Sequence, residues 1–169
     1  CVSIHSEPST GTVFKLCLPL SNMKKEDTKS QDEIIGGTCG VLLVDDEEIL
    51  REVGKALLED LGYRVYLAED GEQALEIYAR ERRNIALVIL DMLMPGMGGK
   101  ETLVRLKEKY SDVTVLISSG FHKEGTADEL EKLGAHGFLK KPYQMADLSI
   151  VLAALTGKKS RPPTLPVTK

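Results

Sequence analysis

The chain is short of several things, and each shortage excludes a class. No apolar run approaches the roughly 20 consecutive residues a membrane-crossing helix needs, so no span is expected in it. No basic stretch leads into an apolar one at the front, which opens Cys1-Val2-Ser3 without an initiator Met. A signal peptide is therefore not expected, and a piece of a longer protein is, with any membrane anchor lying upstream. No block of Lys or Arg occurs and the net charge is −4, which denies nucleic-acid binding its electrostatic footprint. The cysteines are Cys1, Cys17 and Cys39: an odd number with no CxxC spacing. That argues against a disulfide framework or a zinc knuckle and for a reduced, cytoplasmic chain. What is present is ordinary globular material, 42% hydrophobic and 28% charged over 169 residues, enough for one domain plus tails.

Four parts follow along the chain. Residues 1–20 alternate like strands, with Val2, Ile4, then Val13 or Phe14, Leu16 and Leu18 around a turn at Glu7-Pro8-Ser9-Thr10-Gly11. A lone hairpin is marginal in water, so this piece reads as part of a sheet that is mostly missing. Residues 21–38 are polar, charged and end in Gly36-Gly37, the composition of a flexible linker. Residues 39–157 alternate apolar runs with helix-period segments. Strands are expected over Val41–Val44, Arg64–Ala68, Ile85–Leu90, Val113–Ile117 and Gly137–Leu139. Helical stripes are expected at Ile49/Leu50, Val53, Leu57 and Leu61, at Ala74, Leu75, Tyr78 and Ala79, at Leu103 and Leu106, at Leu130 and Leu133, and at Leu148, Val151, Leu152 and Leu155. Gly62 and Gly134 are placed to end helices. This alternation predicts an α/β fold, a five-stranded parallel sheet with helices on both faces, and burial on both faces explains why Ile85–Leu90 is continuously apolar. Residues 158–169 hold Pro162, Pro163 and Pro166 and no apolar period, and read as a disordered tail.

The chemistry sits where apolar runs end. Asp45 and Asp46 follow Val41–Val44, Asp91 follows Ile85–Leu90, Ser118 follows Ile117, and Lys141 follows Phe138-Leu139-Lys140 and precedes Pro142. In an open parallel sheet the carboxyl ends of the strands gather at the edge where ligands bind. Three carboxylates there suit a magnesium ion, which takes oxygen ligands and keeps several waters. Asp45 and Asp46 alone could equally cap a helix. Asp91 shifts the balance: a carboxylate ending a central strand is costly to desolvate unless paired, and Pro95-Gly96 separates it from the next helix. A metal there would pair it and shield it from an incoming phosphoryl dianion. Ser118 could donate to a phosphoryl oxygen on Asp91, and Lys141 could supply a positive charge to the same group. Pro142 could hold a cis turn that aims the lysine inward.

In that order, on a five-fold βα frame, Asp45-Asp46, Asp91-x-x-Met94-Pro95, Ser118 and Lys141-Pro142 resemble the receiver domain of two-component response regulators. The resemblance covers about Gly40 to Gly157 and implies a doubly wound (βα)5 flavodoxin-like fold. It implies Asp91 as phosphoacceptor, with Asp45, Asp46, Asp91 and the backbone carbonyl of Leu93 around magnesium. It makes Ser118 the switch hydroxyl, Lys141 the phosphate-contacting lysine and Phe138 the switch aromatic. The partner implied is a histidine kinase or histidine phosphotransfer domain, and the face of the fourth helix, fifth sheet strand and fifth helix is the one that switches. Gly98-Gly99 replace a frequent Asp-Gly, which is expected to loosen the loop, and Phe138 lacks the hydroxyl of a frequent tyrosine. Leu93 and Gly120 stand where the family tunes hydrolysis and neither can orient a water, so a long-lived phosphoryl-aspartate is expected.

A second resemblance lies in Ile4-His5-Ser6-Glu7-Pro8, Gly11-Thr12-Val13-Phe14 and Leu18-Pro19-Leu20, which look like the last hairpin of a histidine-kinase ATPase domain. Ahead of a receiver, it implies the C-terminal end of a hybrid sensor kinase. No DxGxG-like loop or Asn-rich ATP box is present, so the fragment is not expected to bind ATP. His5, His122 and His136 lie in no phosphoacceptor-helix context. Two other readings compete: a magnesium-dependent phosphohydrolase with an aspartate nucleophile, against which Leu93 stands where a general-acid aspartate is needed, and a docking module that no longer transfers phosphate.

Overall fold

The computed structural model describes residues 2–7, 11–17, 36–120 and 126–156. The expected linker up to Ile35, the loop holding His122, the Leu18-Pro19-Leu20 part of the hairpin resemblance and the proline-rich tail lie outside the described residues. Two compact units are present, Cys1–Gln31 and Asp32–Lys169. None of the described helices is long and apolar enough to cross a membrane.

The first unit is an antiparallel pair, β1 (Val2–Glu7) and β2 (Gly11–Leu16). Strand alternation sets Val2 and Ile4 opposite Leu16 and Phe14 on one face, while Ser3, His5 and Glu7 face Lys15, Val13 and Gly11 on the other. Val2, Ile4, Phe14 and Leu16 are all more than 60% exposed, so the apolar face is built but left open among the described residues.

The second unit is the expected α/β fold. Its elements are β3 (Gly40–Val44), α1 (Glu48–Asp60), β4 (Arg64–Ala68), α2 (Gly71–Glu81), β5 (Ile85–Asp91), α3 (Gly99–Lys109), β6 (Val115–Ser119), α4 (Thr126–Lys132), β7 (Gly137–Lys140) and α5 (Met145–Thr156). The five strands pair in parallel in the order β4-β3-β5-β6-β7. Two apolar layers form because successive side chains in a strand point to opposite faces. Val41, Leu43, Leu87, Ile89 and Leu116 pack beneath Leu58 of α1 and Leu148 and Leu152 of α5. Leu42, Val44, Val88, Leu90, Val115 and Ile117 pack beneath Ala74 of α2, Leu103 and Leu106 of α3 and Leu130 of α4. Gly62 and Gly134 follow helices at φ +86° and +99°, the left-handed positions expected of them.

Three details differ from expectation. β6 begins two residues late and runs through Ser118 to Ser119, because pairing with β5 and β7 continues past the apolar run. On α2, Ala79 lies exposed. The stripe of α1 is rotated: Gly54, Leu58 and Leu61 are buried, whereas Ile49 and Val53 are 78% and 53% exposed. Gly54 explains the rotation, since a Cβ there would lie 2.8 Å from the Leu43 side chain, so the helix lies against the sheet along its glycine.

The chain enters this unit flush against it. Gly37 N–H donates to the Leu61 carbonyl at 2.9 Å. A Cβ on Gly37 would overlap the Tyr63 ring, so only glycine passes there. Tyr63 also lies close to Thr156, at the end of α5, whose hydroxyl donates to the Leu152 carbonyl at 2.8 Å.

Candidate functional site

Parallel register brings the acidic residues level. Val44 of β3 is opposite Leu90 of β5, so Asp45 and Asp91 emerge side by side. Asp91 is opposite Ser118 of β6, and Ser119 is opposite Lys140 of β7, which delivers Lys141 to the same edge. The Lys141–Pro142 bond is cis.

Lys141 is the centre of the cluster. Its Nζ lies 2.6 Å from Asp45 Oδ2 and 3.2 Å from Asp91 Oδ1. Burial works to lower the pKa of this lysine, but the hydrogen bond to Asp45 and the charge of Asp91 outweigh burial and raise it, so it stays an ammonium. Asp91 is buried; burial raises its pKa, opposed by the charge and hydrogen bond of Lys141 and by the Met92 N–H, which donates to Oδ1 at 2.8 Å. The partner that the buried carboxylate requires is thus a lysine of the same chain.

The capping alternative for Asp45 and Asp46 does not describe their side chains. Asp45 Oδ1 accepts the N–H of Glu47 at 3.0 Å, which closes a local turn, and Glu47 is the N-cap of α1. Asp46 is partly exposed at the apex of that turn. Oxygen atoms of Asp45, Asp46 and Asp91 lie within 4.8 Å of one another. Three hard carboxylate donors so close fit a hard divalent cation such as magnesium and would repel one another without some cation among them.

Ser118 is 2% exposed, and its Oγ has no hydrogen-bond partner among the described residues. A buried hydroxyl left unpaired costs about 1–3 kcal/mol, so its partner is to be sought in something that arrives. Phe138 is half-buried in β7, opposite Ile117. Leu93 lies in the loop after Asp91 with its side chain 72% exposed. Lys140 is exposed. His5 is exposed beside Glu7, and His136 lies far from the cluster, where its Nδ1 accepts the Val115 N–H at 3.1 Å.

Three residues near the cluster escape sequence reasoning. Gly99, which follows the Gly98 expected to loosen the loop, leaves no room for a side chain: a Cβ there would come 2.1 Å from the Asp91 carbonyl oxygen, so α3 starts in contact with the acceptor backbone. Tyr143 follows the lysine turn and, with Leu50, Val53, Gly54 and Leu57 of α1, lines an apolar cavity of about 250 Å3 that Lys141 shares. Arg51 donates from Nη1 to the Asp45 carbonyl at 2.6 Å. All three depend on contacts that only the folded chain makes.

Comparison with known proteins agrees with this geometry. The family model of the response regulator receiver domain matches residues 41–153. The chain is 30% identical over 166 residues to the sensor kinase CckA of Brucella abortus (strain 2308), a match covering 91% of this chain and 17% of that protein. It is 33% identical over 108 residues to sporulation initiation phosphotransferase F of Bacillus subtilis (strain 168), covering 64% of this chain and 86% of that one. Among solved structures, the CheX–CheY–BeF3–Mg2+ complex from Borrelia burgdorferi superposes with a TM-score of 0.67 at 28% identity, over 69% of this chain and 88% of that one. A receiver domain from Clostridium thermocellum superposes with the same score at 31% identity, over 70% and 94%. The chain spans less than a fifth of CckA and only 20% of the putative response regulator ARR21 of Arabidopsis thaliana.

Proposed function

The chain belongs to the response regulator receiver domain family, and on that premise we propose that Asp91 is the residue that accepts the phosphoryl group. The observation that carries this reading is Lys141, held as an ammonium between Asp45 and Asp91. The ammonium opposes the rise that burial imposes on the pKa of this carboxyl, so the carboxylate can attack, and the same ammonium can follow the charge onto a phosphoryl oxygen. An Asp91 oxygen attacks phosphorus while the bond from phosphorus to the donor imidazole breaks, and that nitrogen keeps the electron pair. Asp45, Asp46 and Asp91, with the backbone carbonyl of Leu93, are the residues that would hold magnesium. When bound, magnesium offsets the repulsion between the carboxylates and the phosphoryl oxygens. Ser118 then donates its unpaired hydroxyl to the new phosphoryl group. That inward movement frees space for Phe138 and remodels the face made by α4, β7 and α5.

The donor in this reading is a phosphohistidine of a histidine kinase or phosphotransfer domain, and the parent protein is a hybrid sensor kinase. Support comes from the CckA match: it covers 91% of the chain, so it extends beyond residues 41–153 through the linker region. The hairpin β1–β2, with its uncovered apolar face, suits the end of an ATPase domain. Loss of the phosphoryl group is slow, because Leu93 and Gly120 bring no side chain able to orient water.

Intact mass after incubation with acetyl phosphate and magnesium tests the reading. One phosphate adduct is expected, dependent on magnesium and absent in Asp91→Asn. No adduct, together with no response to beryllium fluoride and magnesium, would favour a docking module. An adduct lost within seconds would contradict slow hydrolysis.

A further inference from the structure

Arg51 lies in the first turn of α1, and nothing so far gives it a part in the reaction. Its guanidinium Nη1 donates to the Asp45 carbonyl at 2.6 Å, and its backbone N–H donates to the Glu47 carbonyl at 3.0 Å. Residues 45–47 are therefore bracketed by two bonds from one residue. Asp45 is otherwise fully engaged: its N–H donates to Ala68, its Oδ1 accepts from Glu47 and its Oδ2 accepts from Lys141. Asp46, at the centre of the bracket, makes no side-chain hydrogen bond or ion pair among the described residues. The direction of its carboxylate is set by the backbone of the turn alone.

That backbone lacks the usual fixing. The N-cap of α1, Glu47, accepts no hydrogen bond through its side chain, whereas Asp70, the N-cap of α2, accepts the Gln73 N–H at 2.8 Å. The guanidinium bond to the Asp45 carbonyl does not cap the helix, but it ties the turn to the first residues of α1.

We infer that Arg51 is a positioning residue: by clamping the Asp45 carbonyl it aims the Asp46 carboxylate into the acidic cluster and so sets the affinity for the divalent cation. This rests on reading Asp45, Asp46 and Asp91 as the magnesium ligands. A guanidinium close to a cation site also repels the ion, and the two effects have opposite signs: losing the clamp on the Asp45 carbonyl weakens binding, whereas losing the repulsion tightens it. Tighter magnesium binding in Arg51→Met therefore overturns the inference.

The test is calorimetric titration of the full chain with magnesium, without phosphodonor, for the native protein, Asp46→Asn, Arg51→Met and Arg51→Lys. Arg51→Met keeps the apolar stem and loses the donors; Arg51→Lys can still donate to one carbonyl. Supporting groups of a metal site typically change affinity about 10–100-fold. About tenfold weaker binding is expected for Arg51→Met, with most of the affinity kept in Arg51→Lys. Saturating magnesium is expected to restore the acetyl phosphate labelling rate of Arg51→Met. Melting in EDTA reports whether each variant is folded, and if Arg51→Met is not, Arg51→Gln serves in its place. Native affinity in the folded variant overturns the inference. So does a labelling defect that saturating magnesium leaves in place, since that marks a structural role. If the native chain binds no magnesium, the ligand reading fails first. If native binds and Asp46→Asn does not, an unchanged Arg51→Met counts against Arg51 alone.

Discussion

At Asp91, burial and charge pull in opposite directions, and burial wins: its pKa is raised despite Lys141. A carboxyl whose folded pKa exceeds its unfolded one destabilises the fold once pH rises through both values, and stops doing so below the unfolded value near 3.8. Asp91→Asn is thus expected to melt a few degrees higher than the native chain at neutral pH, with the advantage shrinking as pH falls toward 3.8. Thermal melts across pH read this directly. Gly99 gives a second residue-level prediction. Gly99→Ala forces a Cβ against the Asp91 carbonyl, so about 1–3 kcal/mol of stability and much of the acetyl phosphate labelling rate should be lost. Gly98→Ala, whose nearest contact is an ordinary 3.7 Å, should do neither. Asp45, Asp46, Asp91, Ser118 and Lys141 were all legible as a group because each ends an apolar run, and parallel register turns that shared position into proximity. Gly99 was not, since a helix start lying on the acceptor backbone leaves no mark in composition or period.

Among the elements, α1 shows where reading by period fails. Ile49 and Val53 belong to the apolar stripe by spacing, yet they face outward because Gly54 draws the helix onto the sheet. Val53 lines the cavity that Lys141 shares, so a phosphodonor approaching Asp91 would meet it. Val53→Glu is expected to leave the melting temperature within about 2 °C of native, as exposed substitutions usually do, and to leave acetyl phosphate labelling intact. Transfer from a phosphorylated donor protein should fall about tenfold or more in a stopped-time transfer assay if that face is used. At the other end of the sheet, the His136 imidazole accepts the Val115 N–H just before β7 begins. Burial, then the charge of Lys107, depress its pKa below 6.5. Its contribution is therefore present above the unfolded value near 6.5 and lost as pH falls through the folded value. The His136→Ala variant should show a shallower fall in melting temperature between about pH 7.5 and 5.5.

For the whole molecule, the α/β class, the strand count and the parallel order were open to sequence reasoning, because two-sided burial writes continuous apolar runs that alternate with helical periods. What covers the hairpin was not, since strand alternation marks Val2, Ile4, Phe14 and Leu16 as one apolar face without naming a partner for it. The receiver unit has its own two-layered core. Removal of residues 1–35 is accordingly expected to leave its melting temperature and labelling rate unchanged, as a truncated chain measured beside the native one would show.

One tyrosine has a consequence for how such a domain is used. Tyr63 lies over Gly37, where the polypeptide comes in, and close to Thr156, where α5 finishes. Both doors of the domain thus open onto the same doorstep. A unit of this kind can be spliced into the middle of another protein like a bead clipped onto a loop, leaving the host's own path almost undisturbed.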